Sequence, residues 1–251
     1  MNENDLCKRR IIDAANKAYA QNIYVYTDFL SISELSVYNE IKKDISFIDN
    51  CSYGGNPACE RQIIQFGSEE AFGYKEAFPI TLIKISPLIE KFGEELSHRD
   101  YLGAVLNLGI ERNLIGDIII KGKTAYMYCV DRISDYVVSN LTKIKHTNIK
   151  CEITDITLNN LSPELEDIEI ISASLRIDAV AASLTRLSRS KVIELFRTGK
   201  IFVNGRLCEN NSYNVHPKDI IVIRGLGKYI FEDNGKETKK GRIYVKLKHY
   251  K

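Results

Sequence analysis

The last eighty residues constrain the chain most. The stretch LRIDAVAASLTRLSRSKVIELFRTGKIFVNGRLCENNSYNVHPKDIIVIRG predicts two short helices, a tight hairpin and a further strand. Ser174 is placed to cap a first helix, whose apolar positions Ile177, Val180, Ala181 and Leu184 follow the i, i+3, i+4, i+7 rule. Ser188 is placed to cap a second helix with Val192, Leu195 and Phe196 on its buried side. Gly199 then stops it, because a residue just past a helix end commonly takes a left-handed conformation that glycine adopts freely. Asn204-Gly205 is the dipeptide of a type I′ hairpin turn, in which both residues take positive φ. Pro217-Lys218-Asp219 marks another turn before IIVIRG.

Charge divides the chain at the same place. Residues 172–251 hold 17 Lys+Arg against 7 Asp+Glu, a net of +10, and residues 1–171 hold 18 against 26, a net of −8. A basic end of this strength points to a polyanion, most simply RNA or DNA. At 100° per residue, Arg189, Arg197 and Lys200 fall within an arc of about 80° on the second helix. Arg189 also stands at the helix start, where free N–H groups and the macrodipole favour a phosphate. Arg176 and Arg186 flank that corner if the two helices pack as a hairpin. The alternative is a solvated basic face with no ligand, and the concentration of cations at one helix entrance argues against it.

The pattern LRIDxxxxxxxxLSRSKxxELFRTGKIFVNG…PKDII closely resembles the S-four RNA-binding domain, with Ile177 where leucine is usual. The resemblance covers about residues 174–225. It implies an αL-type fold that holds structured RNA against its two helices and hairpin loop. Carried onto this sequence, it implies RNA contacts by Arg176, Arg189, Ser190, Lys191, Arg197, Lys200 and Asn204, to which the corner geometry adds Arg186.

The middle of the chain predicts β-α-β-β-α-β: ITLIKIS (80–86), a helix over 98–110 with Tyr101, Leu102, Val105 and Leu108 on one side, and a hairpin IGDIIIKGKTAYMYCV turning near Lys121-Gly122-Lys123. A helix RISDYVVSNL capped by Asp131 and a strand TNIKCEIT (147–154) complete the series. That order is the ferredoxin-like split unit of RNA-recognition motifs. Tyr126 and Tyr128 alternate correctly for one face of a central strand, but the first strand offers no aromatic partner. Core or interface tyrosines are therefore favoured over base stacking there.

The string SHRDYLGAVLNLGIERNLIGDIII resembles the YlmH family of bacterial proteins. The residues that carry the likeness are His98, Arg99, Asp100, Leu102, Gly103, Gly109, Arg112, Gly116 and Asp117, supported by YTDFLS at 26–31 and by Gly54-Gly55 and Glu60-Arg61. The resemblance implies an α+β protein of four parts: an N-terminal α/β segment (1–76), a ferredoxin-like, RNA-recognition-motif-like domain (77–156), a connector (157–173) and the S-four domain (174–251). It further implies a non-catalytic protein that binds ribosomal RNA, with tRNA as a further candidate. The place it implies is the bacterial large ribosomal subunit, in ribosome-associated quality control or the rescue of stalled subunits.

Other classes are disfavoured. His98-Arg99-Asp100 resembles a kinase catalytic loop, but the downstream Asn, the Asp-Phe-Gly and the Gly-rich loop are missing; a capping and surface cluster is the favoured reading. Gly54-Gly55 is followed by no Lys-Ser/Thr and is not a P-loop. No HExxH, CxxC or spaced Cys/His set predicts a metal, and no cofactor is expected. The N-terminus predicts an amphipathic helix rather than a signal peptide, and no apolar run is long enough to span a membrane. A cytoplasmic protein with reduced, buried thiols is expected. The alternative function is an RNA-modifying or tRNA-handling enzyme anchored by the basic domain. Asn159-Asn160 and Ser162-Pro163 predict a turn, EDIEIIS a strand on either domain, and Asn234-Gly235 a final hairpin. The loop carrying Lys236, Lys239, Lys240 and Arg242 is left open between RNA contact and a solvated surface.

Overall fold

The computed structural model describes residues 3–155, 165–239 and 241–250. The chain divides into two compact units, Met1–Ser162 and Pro163–Lys251.

The first unit opens with the predicted amphipathic helix, α1 (Glu3–Gln21). Its buried stripe is Cys7, Ile11, Ala15 and Ala18, which packs on Val37, Tyr38 and Ile41 of α2 (Ile32–Ile41). A capping box starts α2: the Glu34 N–H donates to Ser31 Oγ, and the Ser31 N–H donates to Glu34 Oε2 at 2.8 Å. Three short strands, β1 (Val25–Tyr26), β2 (Asn50–Tyr53) and β3 (Ile63–Phe66), form a sheet in the order β1-β3-β2. A single-turn helix, α3 (Glu69–Phe72), follows.

The predicted β-α-β-β-α-β order is the order observed. Strand β4 (Ile80–Pro87), helix α4 (His98–Leu106), strands β5 (Ile115–Lys121) and β6 (Thr124–Val130), helix α5 (Asp131–Asn140) and strand β8 (Thr147–Ile153) build it. An unpredicted two-residue strand, β7 (Lys143–Ile144), extends the antiparallel sheet to the order β5-β6-β4-β8-β7. Two expectations on helix ends fail. Helix α4 stops at Leu106, and Val130 rather than Asp131 is the N-cap of α5. Asp131 is instead the first helical residue, and its carboxylate accepts from Thr81 Oγ1 at 2.6 Å.

The period-two alternation of the strands sorts side chains between two cores. Ile83, Ile85, Ala125, Met127 and Cys129 face the helices and pack with Tyr101, Val105 and Val137. Leu82, Tyr126, Tyr128 and Val130 point the other way, onto Phe29, Cys59 and Ile63 from the N-terminal segment. Tyr128 is 2% exposed, so the tyrosines of β6 belong to the core, as the missing aromatic partner suggested.

Motif residues fasten this second core. The Asp117 carboxylate accepts the backbone N–H groups of Glu60 (2.7 Å) and Arg61 (3.2 Å). The Arg61 guanidinium donates to the carbonyls of Ile115 (3.0 Å) and Phe29 (2.8 Å), and Arg112 also donates to the Ile115 carbonyl. Burial, and then the neighbouring Arg61 charge, pull the Arg112 guanidinium down to about 10. Gly55 lies against the Tyr128 ring with φ +98, a conformation that favours glycine. At Gly116 an added Cβ would stand 2.8 Å from the Phe29 ring and 3.0 Å from Tyr128 Cβ.

The second unit is a six-stranded sheet with two helices. Strands β9 (Leu165–Ser172), β10 (Ile201–Val203), β11 (Arg206–Leu207), β12 (Ile220–Ile223), β13 (Gly227–Glu237) and β14 (Ile243–Tyr250) lie in the order β11-β10-β12-β13-β14-β9. EDIEIIS therefore belongs to the C-terminal sheet, as β9 paired with β14. The hairpin expected at Asn234-Gly235 is displaced: β13 runs through both residues with register shifts. The chain turns instead after Glu237, where the Gly241 N–H donates to the Thr238 carbonyl. The turns expected at Asn159-Asn160 and Ser162-Pro163, and Lys240, lie outside the described residues.

All six cysteines are free; Cys7, Cys59, Cys129 and Cys208 are buried, whereas Cys51 is exposed. Burial pushes Cys59, Cys129 and Cys151 up to about 12, so these thiols stay protonated. Among the described residues no helix is long and apolar enough to cross a membrane.

Two expected outcomes follow from these contacts. In a strand, Gly→Ala is ordinarily favourable, but Gly116→Ala should lower stability by about 1–3 kcal/mol through overpacking. A urea unfolding midpoint at or above wild type would refute the tight packing. The second concerns pH. The Asp100 carboxylate is held at about 2, first by the hydrogen bond from Lys145 and then by those from Ser97. Its folded value lies below the unfolded value of about 3.9, so its stabilisation is present above that value and lost as pH falls toward 2. Thermal unfolding followed from pH 5 to pH 2 should show a component that Asp100→Asn removes.

Candidate nucleic-acid interface

Helices α6 (Ile177–Thr185) and α7 (Arg189–Arg197) carry most of the predicted RNA contacts. The first helix begins two residues later than Ser174 would place it. Arg176 is its N-cap, and Ser174 Oγ instead accepts the Arg176 N–H at 3.4 Å. The loop before Pro217 closes over this helix start. The Ile177 N–H donates to the Tyr213 carbonyl (2.8 Å), Asp178 N–H to the Asn211 carbonyl (3.3 Å), and Ala179 N–H to Asp178 Oδ1 (2.8 Å). The protein itself thus occupies the donors of the α6 N-terminus.

The start of α7 differs. Ser188 is the N-cap as expected, but its side chain makes no capping hydrogen bond; its Oγ lies 3.1 Å from Ser190 Oγ. Arg189, the first helical residue, shares a cleft of about 380 Å³ with Arg176 and Asp178. Arg176 grips Asp178 with two hydrogen bonds of 3.1 and 2.8 Å, which hold the Asp178 carboxyl below the usual carboxylate range. Arg189 makes no such hydrogen-bonded pair, though its charge also acts on Asp178, and the helix start beside it has no side-chain cap to offset the dipole.

The structure does not gather the remaining residues at this point. Arg186 is the exposed C-cap of α6 in a left-handed conformation, φ 56°, at the turn between the helices. Arg197 is on the same side of α7 as Arg189 but about 12 Å further along, at 1.5 Å per residue. Lys191 is turned about 200° from Arg189. Lys200 has left the helix: the Gly199 N–H donates to the Phe196 carbonyl and the Lys200 N–H to the Leu195 carbonyl, which is a Schellman stop. Its own carbonyl accepts from Arg224, whose guanidinium sits 4.3 Å from the centre of the Phe202 ring. Arg197, Lys200 and Arg224 thus make a second basic group. Arg224 was missed in the sequence because it lies beyond the helix pair; its position directly after IIVI was the available signal.

Asn204 has a job inside the fold. It takes φ 51° in the Asn204-Gly205 turn, as the dipeptide demanded. Its amide donates to Asp219 Oδ1 (2.8 Å) and accepts the Ile220 N–H (2.9 Å), while Asp219 Oδ2 accepts from Tyr213 (2.9 Å) and the His216 N–H (2.8 Å). Burial and that Asp219 contact push Tyr213 up to about 12, which keeps it a donor. This network pins the hairpin to the Pro217 turn.

In the first unit, Asp100 accepts from the Ser97 N–H and hydroxyl and from Lys145, each at 2.8 Å, so the kinase-like tripeptide caps a helix. Among the described residues no group of three His, Cys, Asp or Glu side chains is placed to hold a metal ion.

Comparison with known proteins supports a mixed α+β fold. A solved structure, the cell division protein ylmH from Streptococcus pneumoniae, superposes with a TM-score of 0.50 at 21% identity, covering 62% of this chain and 94% of that one. The ribosome-associated protein quality control protein P2 of Bacillus subtilis (strain 168) is 30% identical over 159 residues, which is 62% of this chain and 61% of that protein. The match thus spans less than two thirds of the curated relative. Residues 74–158, which hold all the strands and helices of the split β-α-β sheet, match the family model described as "Putative RNA-binding domain in YlmH".

Proposed function

We propose that this chain is a non-catalytic RNA-binding protein of the YlmH type, which holds structured RNA at the large ribosomal subunit of a bacterium. The observation that carries the reading is Arg189 at the uncapped start of α7, in a region whose net charge is +10. A polyanion meets there both a cation and unfilled backbone donors. The likeness of residues 74–158 to an RNA-binding domain, and of 159 residues to a ribosome-associated quality control protein, supports RNA and the ribosome as partners. In this reading the second unit is an S-four domain and the split sheet an RNA-recognition-like domain. Ribosomal RNA is the main ligand, tRNA a further one, and the setting is quality control of stalled subunits in the cytoplasm. Holding rather than changing RNA is supported by the motif carboxylates. Asp100 and Asp117 are engaged as a helix cap and a chain brace. A grip made mainly of phosphate contacts positions a protein without reading much sequence, so RNA shape supplies the specificity.

Neutralising Arg189 and Arg197 together should weaken binding of a structured ribosomal RNA fragment. Each lost phosphate contact should flatten the log–log salt dependence by about 0.7–0.9. Filter binding across a salt series measures both, and an unchanged slope in a folded variant would refute these contacts. In sucrose gradients at low salt the wild-type chain should co-migrate with large subunits and the double variant should not. Wild-type protein found only in free fractions, or RNA chemically altered by it, would overturn the reading.

A further inference from the structure

The face that an RNA-recognition motif ordinarily offers to bases is closed in this protein. Leu82, Ile119 and Tyr128 are each less than one tenth exposed, and Phe29, Cys59 and Ile63 lie on them. RNA held by residues 74–158 must therefore lie elsewhere on that domain. A cleft of about 440 Å³ opens on the helix side, between α4 and the segment from the end of α5 through β7. Arg99, Lys143 and Lys145 bring three cations to it, and Asn107 and Asn140 bring side-chain amides. Its carboxylate is Asp100, which Lys145 and Ser97 already satisfy. Arg99 and Lys143 make no ion pair among the described residues.

One feature of the cleft has no explanation within the fold. Gly103 stands in the middle of α4, where glycine is the poorest helix former after proline. A Cβ added there would meet nothing within 4 Å, so no packing contact requires the glycine. A bare helix surface on a cleft wall is what close approach by a ligand needs. Lys145 holds a left-handed conformation, φ 51°, in the two-residue turn joining β7 to β8. A two-residue hairpin turn calls for such a conformation, and the lysine there supplies the partner of Asp100.

His146, the next residue of the same turn, lines a second, smaller cleft with Leu88, Ile89, Phe92 and Asn148. Leu88, Ile89 and Phe92 are 60%, 56% and 73% exposed. Cations and an exposed aromatic ring on one domain fit a single-stranded nucleic acid: phosphates take the cations and an unpaired base stacks on the ring. We propose that Arg99 and Lys143 hold the backbone of a short single-stranded or looped RNA segment, with a base on Phe92 and His146. This inference rests on the reading that the chain binds RNA, and adds the face of the first unit that does so.

The test uses the full chain and two probes, an oligouridine and a structured ribosomal RNA fragment, followed by fluorescence anisotropy. Arg99→Gln/Lys143→Gln should weaken oligouridine binding about tenfold and flatten its salt slope by about 1.4, two single-strand contacts. Gly103→Gln, which fills the cleft with a better helix former, should lose oligouridine binding while unfolding no earlier than wild type. Phe92→Ala should weaken the oligouridine without changing the slope. Arg189→Gln/Arg197→Gln should act chiefly on the structured fragment. If only that last variant weakens RNA binding, the cleft assignment is overturned and the RNA-binding reading stands. If oligouridine is indifferent to every change in the cleft while Phe92→Ala abolishes ribosome association, the patch docks a protein. If neither probe binds the wild-type chain, the inference and the reading fall together.

Discussion

The Asp117 carboxylate is the joint on which the first unit depends. It accepts two successive backbone N–H groups from the Glu60–Arg61 segment. The Arg61 side chain, thereby directed inward, donates to the carbonyls of Phe29 and Ile115. A buried guanidinium is costly unless its donors are satisfied. Arg61 and Arg112 also repel one another, so the arrangement stands only while carbonyls and the Asp117 charge surround them. What it secures is a second core on the free face of the sheet, with Phe29 over Gly116 and Gly55 over Tyr128.

That core has a functional consequence. A four-stranded antiparallel sheet backed by two helices has one open face, and an RNA-recognition motif uses it for stacking. Here the N-terminal segment covers that face, and whatever the domain binds must be met by its helices, its edge or its turns. The β7–β8 turn borders two clefts, one lined by Arg99, Lys143 and Lys145 and the other by Phe92 and His146. The second unit solves the same problem differently. Its sheet packs Val180, Ala181 and Val192 of the two helices against Ile221, Ile223 and Phe231, and cations are left at both ends of α7.

Much of this was legible in the sequence where short-range physics decides. Positive φ at Asn204, Gly205 and Gly199 was written in residue type, and so was the order of strands and helices in the middle of the chain. The alternation of β6 and the lack of an aromatic in β4 identified Tyr126 and Tyr128 as packing residues. Legibility failed where partners distant in sequence compete. Ser174 and Asp131 have the chemistry of caps, but Tyr213, Asn211 and Thr81 were not visible as neighbours. Asn234-Gly235 has the composition of a turn, yet pairing with β14 carries the strand through it. In the first unit, four of the residues that carry the YlmH resemblance, Asp100, Arg112, Gly116 and Asp117, make contacts that hold the fold, whereas Arg99 and Gly103 do not.

The basic residues show why charge and motif must be read separately from geometry. Counting along the helix put Arg189, Arg197 and Lys200 on one arc. The Schellman stop at Gly199 turns the chain at that point and gives Lys200 a neighbour, Arg224, from the turn just past β12. Arg176, though exposed, spends its two strongest donors on Asp178. A phosphate at this corner must compete with the Asp178 carboxylate for the two hydrogen bonds of Arg176, whereas Arg189 feels that carboxylate only through space and stands at a helix start with no side-chain cap. Screening weakens both contacts as salt rises. The Arg176–Asp178 pair nevertheless keeps its shape, because two parallel hydrogen bonds fix it. Arg176 therefore acts first as the rigid wall of the cleft, and Arg189 supplies the charge that an RNA backbone would seek.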